Sequence, residues 1–304
     1  MKRMAAALVI IAIAAAIAFF VLTKPGRLGQ KELAAMSSGD AAAGERLFYA
    51  GGCSSCHAAK DARGDDTLKL GGGQALVTPF GTFHAPNVSP DPTAGIGKWS
   101  LGDFANAMLK GISPDGGHLY PAFPYTSYAR MKPGDVADLW AFLKTLPPVE
   151  KVNLPHELSF PFNIRRGLGL WKLLYLSSEP VVAIDESDPQ LVTGRYLVEG
   201  PGHCGECHTP RNLIGGPDKS RWLAGGPAPE GKGNIPNITP SDSGIGSWSQ
   251  NDIAYALESG FKPDFDSLGS TMTDVQRNMA RLPASDREAI AAYLKAIPPI
   301  ASAR

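Results

Sequence analysis

The sequence predicts an all-α protein with an N-terminal transmembrane helix followed by two tandem domains of one fold. Three observations lead there. The chain opens on an unbroken apolar run. Its second half repeats its first at a shift of about 150 residues. The pentapeptide Cys-x-x-Cys-His occurs once in each half, as Cys53 to His57 and as Cys204 to His208.

The first element is the apolar run from Met4 to Leu22, preceded by Lys2 and Arg3. It is about long enough to cross a hydrocarbon core as a helix. Positive residues ahead of it keep the N-terminus cytoplasmic and send the rest outward. A cleaved signal peptide competes. Its apolar part is usually shorter and ends in small residues, whereas here Phe19-Phe20-Val21-Leu22 closes the run. The expected segments are an anchor at 1–23, a flexible spacer at 24–38, a first domain at 39–150, an interdomain segment at 151–187 and a second domain at 188–304.

The repeat fixes the helices of each domain. Pro86-Asn87-Val88-Ser89-Pro90 returns as Pro236-Asn237-Ile238-Thr239-Pro240, and Gly95 to Ser100 returns as Gly244 to Ser249. Leu139 to Pro148 returns as Ile290 to Pro299. A period this long means duplication of a domain rather than a solenoid. In the first copy Asp40 caps a helix running to about Tyr49. Ser100 with Asp103 forms a capping-box-like start for the next. Asp135 caps the last, where Val136, Leu139, Trp140 and Leu143 recur at helical spacing and Pro147-Pro148 stops it. In the second copy Asp188 with Pro189, Ser249 with Asp252, and Asp286 mark the corresponding starts. Between the copies, a helix from Arg165 to Leu176 is expected to pack across both domains, because the stretch is too apolar for a free linker; a docking surface for a partner or for lipid is the alternative.

The two pentapeptides use all four cysteines of the chain. Cys-x-x-Cys-H is the attachment signature of c-type haem. Cys53 and Cys56, and again Cys204 and Cys207, would form thioethers to a porphyrin, with His57 and His208 as the proximal iron ligands. The expected cofactors are two haem c. A disulfide framework suits an exported chain but gives no reason for the histidines. A zinc ribbon needs its two pairs much closer together. A thioredoxin-like pair lacks its strand and helix surroundings. The charge balance of 29 basic and 29 acidic residues argues against a nucleic-acid partner. Gly71-Gly72-Gly73 lacks the lysine of a phosphate loop and is read as a turn. No catalytic residue is assigned.

With these residues in hand, the chain resembles the membrane-bound multihaem cytochrome c subunits of bacterial periplasmic dehydrogenases, including those that serve quinoprotein alcohol dehydrogenases. The resemblance rests on Cys53 to His57, on Cys204 to Arg211, on the two Pro-Asn segments and on Leu119-Tyr120-Pro121-Ala122. It implies class I cytochrome c-like domains. It also implies a methionine as sixth iron ligand in each. Met272, in Gly269-Ser270-Thr271-Met272, matches the ligand loop in the second domain, and Met279 is read as packing. The first domain departs from the pattern. Where relatives commonly have Pro-Ala-Met-Pro-Tyr, it has Pro121-Ala122-Phe123-Pro124-Tyr125, and phenylalanine cannot ligate iron. Met131 is the first candidate there, although Leu282 stands at its matching position. An open iron and His118 follow, and Met108 is read as core.

Arg211, Trp99 and Trp248 are candidates for holding haem propionates. Pro86, Asn87, Pro236 and Asn237 are expected to shape the loops beside the haems, and His84 and His156 to be loop histidines. The expected function is a membrane-anchored dihaem protein of the bacterial inner membrane with its haem domains in the periplasm. It would pass single electrons from a periplasmic dehydrogenase to a soluble cytochrome or terminal oxidase. The alternative is a dihaem enzyme, thiosulfate dehydrogenase- or peroxidase-like, with an open first iron.

Overall fold

The computed structural model describes residues 1–36, 38–228 and 233–302. The first helix, α1 (Lys2–Leu22), has a mean hydropathy of 3.0 and buries none of its residues against the rest of the chain. By length and composition it can cross a membrane. The segment expected to be a flexible spacer is instead packed. It forms α2 (Gln30–Ala34). Leu28 is buried, its N–H donates to Asn106 Oδ1 at 2.8 Å, and Arg27 Nη2 donates to the carbonyls of Ser113 and Pro114. The apolar Leu28 and Leu33 carry it onto the body, a signal too short to show periodicity in the sequence.

The body is mostly helical and its second half repeats the first. The first unit runs α3 (Ala41–Ala50), α4 (Cys53–His57), α5 (Leu101–Lys110), α6 (Tyr125–Tyr128) and α7 (Pro133–Leu143). After α8 (Leu168–Tyr175), the second unit runs α9 (Pro189–Glu199), α10 (Cys204–His208), α11 (Gln250–Ser259), α12 (Met272–Met279) and α13 (Ala284–Ala296). Asp40, Ser100, Asp188 and Ser249 each accept a hydrogen bond from a backbone N–H in the first turn, and Ser100 and Ser249 close full capping boxes with Asp103 and Asp252.

Two helix starts differ, for α13 (Ala284–Ala296) begins two residues before Asp286 just as α7 does before Asp135. α7 begins at Pro133, two residues before Asp135, because proline has no N–H to lose in a first turn and its fixed φ suits one. Asp135 is thereby free for another use, and its carboxylate accepts the hydroxyl of Tyr196 in α9. The equivalent Asp286 of α13 accepts Arg46 Nε and Nη2 of α3 at 2.6 and 2.7 Å. The two units are thus clasped by the same pair of positions used in both directions.

Within each unit the first and last helices cross in close contact. A Cβ on Gly44 would lie 2.0 Å from the Asp138 carbonyl oxygen, and one on Gly194 would lie 1.9 Å from that of Ala289. Only glycine permits backbones that near. The first crossing buries Phe48, Val136, Leu139 and Trp140 and the second Leu197, Ile290, Tyr293 and Leu294, all within one hydrophobic cluster. Phe104 stacks on Trp140 with ring centres 5.0 Å apart, joining α5 to the first crossing.

Two small antiparallel sheets modify the all-α expectation. β1 (Ala75–Thr78) pairs with β2 (Gly81–His84), with Ala75 opposite His84, and β2 pairs with β3 (Glu157–Leu158). β4 (Gly226–Pro227) pairs with β5 (Asn234–Ile235) at the matching place in the second unit. The first sheet ties the loop after α4 to the interdomain segment. Strands of two to four residues are too short to register against the helical pattern of the rest.

Candidate functional site

Each Cys-x-x-Cys-His segment folds as a single helical turn, α4 and α10, so its two cysteines lie on one side of the turn. Each turn is entered through a residue in the left-handed region, Gly52 at φ 54° and His203 at φ 40°. Cys53, Cys56 and Cys204 are not joined in disulfides. Burial pushes the Cys53 and Cys204 thiols up to about 12. Among the described residues, no group of three His, Cys, Asp or Glu side chains is gathered as a metal site. Each turn carries one histidine as a candidate iron donor.

The histidines are set for that role. His57 Nδ1 lies 2.8 Å from the Pro86 carbonyl and His208 Nδ1 lies 2.8 Å from that of Pro236. A carbonyl only accepts, so Nδ1 carries the proton and Nε2 keeps its lone pair. This is the arrangement of a metal-ligating histidine, whose second nitrogen is oriented by a backbone acceptor. Burial holds both rings below the ordinary imidazole value and keeps them neutral, against the smaller opposing effect of the carbonyl.

The Pro-Asn segments supply those carbonyls, and each asparagine locks its segment in place. Asn87 Oδ1 accepts the N–H of Ser89 at 2.9 Å while its Nδ2 donates to the Val149 carbonyl at 2.6 Å. Asn237 repeats the pattern with Thr239 at 2.8 Å and Ile300 at 2.7 Å. These residues, with the two histidines and four cysteines, fit a covalently held haem at each turn.

The distal side differs between units. Met272 is half-buried at the first residue of α12, and Met279 is buried in the core at its last. In the first unit Phe123 precedes α6 and packs edge-on to Tyr128, with ring centres 5.5 Å apart. Tyr128 is itself buried, and the nearby Cys53 and Cys56 add to the burial that raises its hydroxyl pKa. Phe123 is thus linked through Tyr128 to the neighbourhood of Cys53 and Cys56. Met131 is buried in the core, as is Leu282 at the matching position. His118 is buried, and its Nε2 donates to the Thr23 carbonyl at 2.9 Å. Met108 is core.

The other candidate side chains have these surroundings. Arg211 is paired within the second motif. Its Nη2 donates to Glu206 Oε2 at 2.5 Å and its Nη1 to the Gly215 carbonyl at 2.7 Å. Trp99 and Trp248 are half-buried against the core. His84 and His156 belong to the sheet region. His84 Nε2 faces Glu157 Oε1 at 2.9 Å, and the His156 ring packs edge-on against both Phe83 and Tyr120, which also touch each other.

Sequence reasoning missed how the two motifs meet. Glu206, inside the second motif, accepts Thr126 Oγ1 at 2.6 Å and Ser127 Oγ at 2.7 Å from α6, the distal helix of the first unit. Reciprocally, Asn278 of α12 accepts Ser54 Oγ at 3.2 Å and donates to Ser55 Oγ at 3.1 Å. His203 Nε2 donates to the Gly51 carbonyl at 3.1 Å across the same seam. Each motif turn is therefore bound to the other unit's distal helix. The clue in the sequence was His203 itself, a bulky residue at the left-handed position that Gly52 fills in the first copy.

The sequence model of the cytochrome c family matches residues 41–147. Over 299 residues the chain is 55% identical to a "Diheme cytochrome c-type" protein of Cereibacter sphaeroides, covering 98% of this chain and 99% of that protein. It is 38% identical over 258 residues to the fructose dehydrogenase cytochrome subunit of Gluconobacter japonicus, covering 84% of this chain and 52% of that one. It is 37% identical over 267 residues to the cytochrome c subunit of a quinone alcohol dehydrogenase of Gluconobacter oxydans, covering 84% of this chain and 54% of that subunit. The chain thus spans about half the length of these two dehydrogenase subunits.

Proposed function

The chain belongs to the dihaem cytochrome c family and carries two haem c groups; from that premise we propose that it is a membrane-anchored electron carrier serving a periplasmic dehydrogenase. Bound haem supplies a reversible one-electron change at iron. The protein's own residues do the rest. Cys53 with Cys56 and Cys204 with Cys207 hold the two groups, and His57 and His208 ligate them from the proximal side. The repeated helices form two tandem class I domains, and α1 remains as the inner-membrane anchor that keeps both in the periplasm. The observation that carries this reading is the pair of histidines fixed through Nδ1 on proline carbonyls. Similarity to cytochrome subunits of fructose and alcohol dehydrogenases supports a dehydrogenase as the electron donor. A soluble cytochrome or terminal oxidase is the proposed acceptor.

Met272 is the proposed sixth ligand of the second iron and Met131 that of the first. A second reading rests on Phe123, which replaces the expected methionine beside the first motif. If Met131 stays in the core, the first iron has an open position and the chain could act on a small molecule such as thiosulfate or peroxide. A redox titration combined with turnover assays of the purified holoprotein decides between them. Two one-electron steps with no turnover of either molecule support the carrier. Turnover by the isolated chain overturns it in favour of the enzyme.

A further inference from the structure

The interdomain helix α8 is built inside out. Its buried residues are Gly169, Trp171 and Lys172. Its outward residues are Leu170, Leu173 and Leu174, the last two 63% and 69% exposed. A surface helix in water turns leucine inward and lysine outward. Here Lys172 Nζ is the inward group. It donates to the carbonyls of Lys110 at 2.7 Å and Gly111 at 2.6 Å, and it lies 4.7 Å from the centre of the Tyr125 ring. The leucines, spaced i, i+3, i+4, form one apolar stripe. Beside them, Trp171 Nε1 donates to the Ile214 carbonyl at 2.9 Å and holds a loop tip on which Leu213 is 97% exposed.

The foot of α1 stands on the same surface. Thr23 is fully buried there, and a Cβ on Gly169 would lie 2.6 Å from its Cα. Arg166, at the approach to α8, donates to Thr23 Oγ1 at 2.9 Å and to the Phe20 carbonyl at 2.7 Å. His118 holds the Thr23 carbonyl. The membrane-length helix is therefore socketed into the body beside an exposed leucine stripe.

We propose that the outer face of α8 and the Leu213-Ile214 tip form a membrane seat, lying in the interfacial layer of the bilayer that α1 crosses. The occupant is lipid, because the chain leaves the bilayer at Thr23 and the surface around that point is the surface the bilayer meets. Exposed apolar side chains gain by entering the acyl boundary, and a contiguous apolar patch on a water-facing surface is disfavoured. The inference rests on α1 remaining uncleaved.

The test uses the full-length holoprotein in phospholipid vesicles, spin-labelled singly at Leu173→Cys, Leu213→Cys or, as a water-facing control on α13, Glu288→Cys. Labels at 173 and 213 should be broadened by oxygen and shielded from a water-soluble nickel chelate, and the label at 288 should show the reverse. If the protein stays with the vesicles while all three labels respond alike to nickel, the anchor stands and the seat is wrong. If labels at 173 and 213 meet nickel in vesicles and are shielded only when a dehydrogenase is added, the face is a protein interface and the seat is wrong. A processed chain that lacks residues 1–22 and leaves the vesicles overturns both.

Discussion

The proposed proximal histidines are held by neutral backbone acceptors and not by carboxylates. His57 and His208 each spend one nitrogen on a proline carbonyl, so their tautomer is fixed without adding charge beside the proposed ligand atom. The distal residues carry the asymmetry. Met272→Ala is expected to abolish the near-infrared sulfur-to-iron band of one ferric haem, and Met131→Ala that of the other. If Met131→Ala leaves the spectrum intact while reduced wild-type protein binds carbon monoxide at one haem, Met131 is not a ligand. Lys172 yields a separate expectation. Burial lowers it to about 7, against 10.5 in the open chain. Between those values the unfolded chain binds the extra proton, so stability should climb as pH rises from about 7 to about 10.5, by at most ~1.4 kcal/mol per pH unit. The gain is absent below the lower value and complete above the upper. Urea midpoints across that range should show the rise in wild type and a flattened profile in Lys172→Met.

At the scale of elements, the helix crossings decide the geometry of each unit. Alanine is the better helix former by about 1 kcal/mol, and on propensity alone Gly44→Ala or Gly194→Ala would stabilise. The carbonyls of Asp138 and Ala289 stand about 2 Å from where that methyl group would go, and both belong to backbone that cannot swing aside. Overpacking of this kind costs about 1–3 kcal/mol. Chemical denaturation should therefore show both variants less stable than wild type; an unchanged or higher midpoint would mean the helices separate freely. The caps were legible in the sequence because Asp40, Ser100, Asp188 and Ser249 act on their own first turns. Asp135 resembles them in sequence, but its carboxylate serves Tyr196 across the interface, and nothing local distinguishes the two uses.

For the whole molecule, the repeat builds two units that exchange contacts around their haem motifs. Arg46 with Asp286 and Tyr196 with Asp135 occupy matching positions, as do Asn278 with Ser55 and Glu206 with Ser127. The anchored reading predicts that the intact N-terminus remains with membranes through a high-salt wash. Recovery of a soluble mature chain beginning after residue 23 would remove the anchor without touching the haem assignment. Such a chain would also leave Arg166 and His118 without the partners that the end of α1 gives them.

The sequence by itself determined the cofactor chemistry, the duplication and most helix starts. The cofactor motifs and caps are written in residues close together along the chain, two cysteines and a histidine within one helical turn, a serine and an aspartate within one cap; the duplication is written in segments that recur about 150 residues on. Only the tertiary structure decided that residues 24–36 pack onto the body, that Arg211 is occupied by Glu206, that each motif touches the other unit's distal helix, and that α8 turns its leucines outward. Those outcomes depend on which surfaces meet after folding. The energy of a buried lysine or a shared carboxylate is set by neighbours that lie dozens of residues away in sequence and a few ångströms away in space.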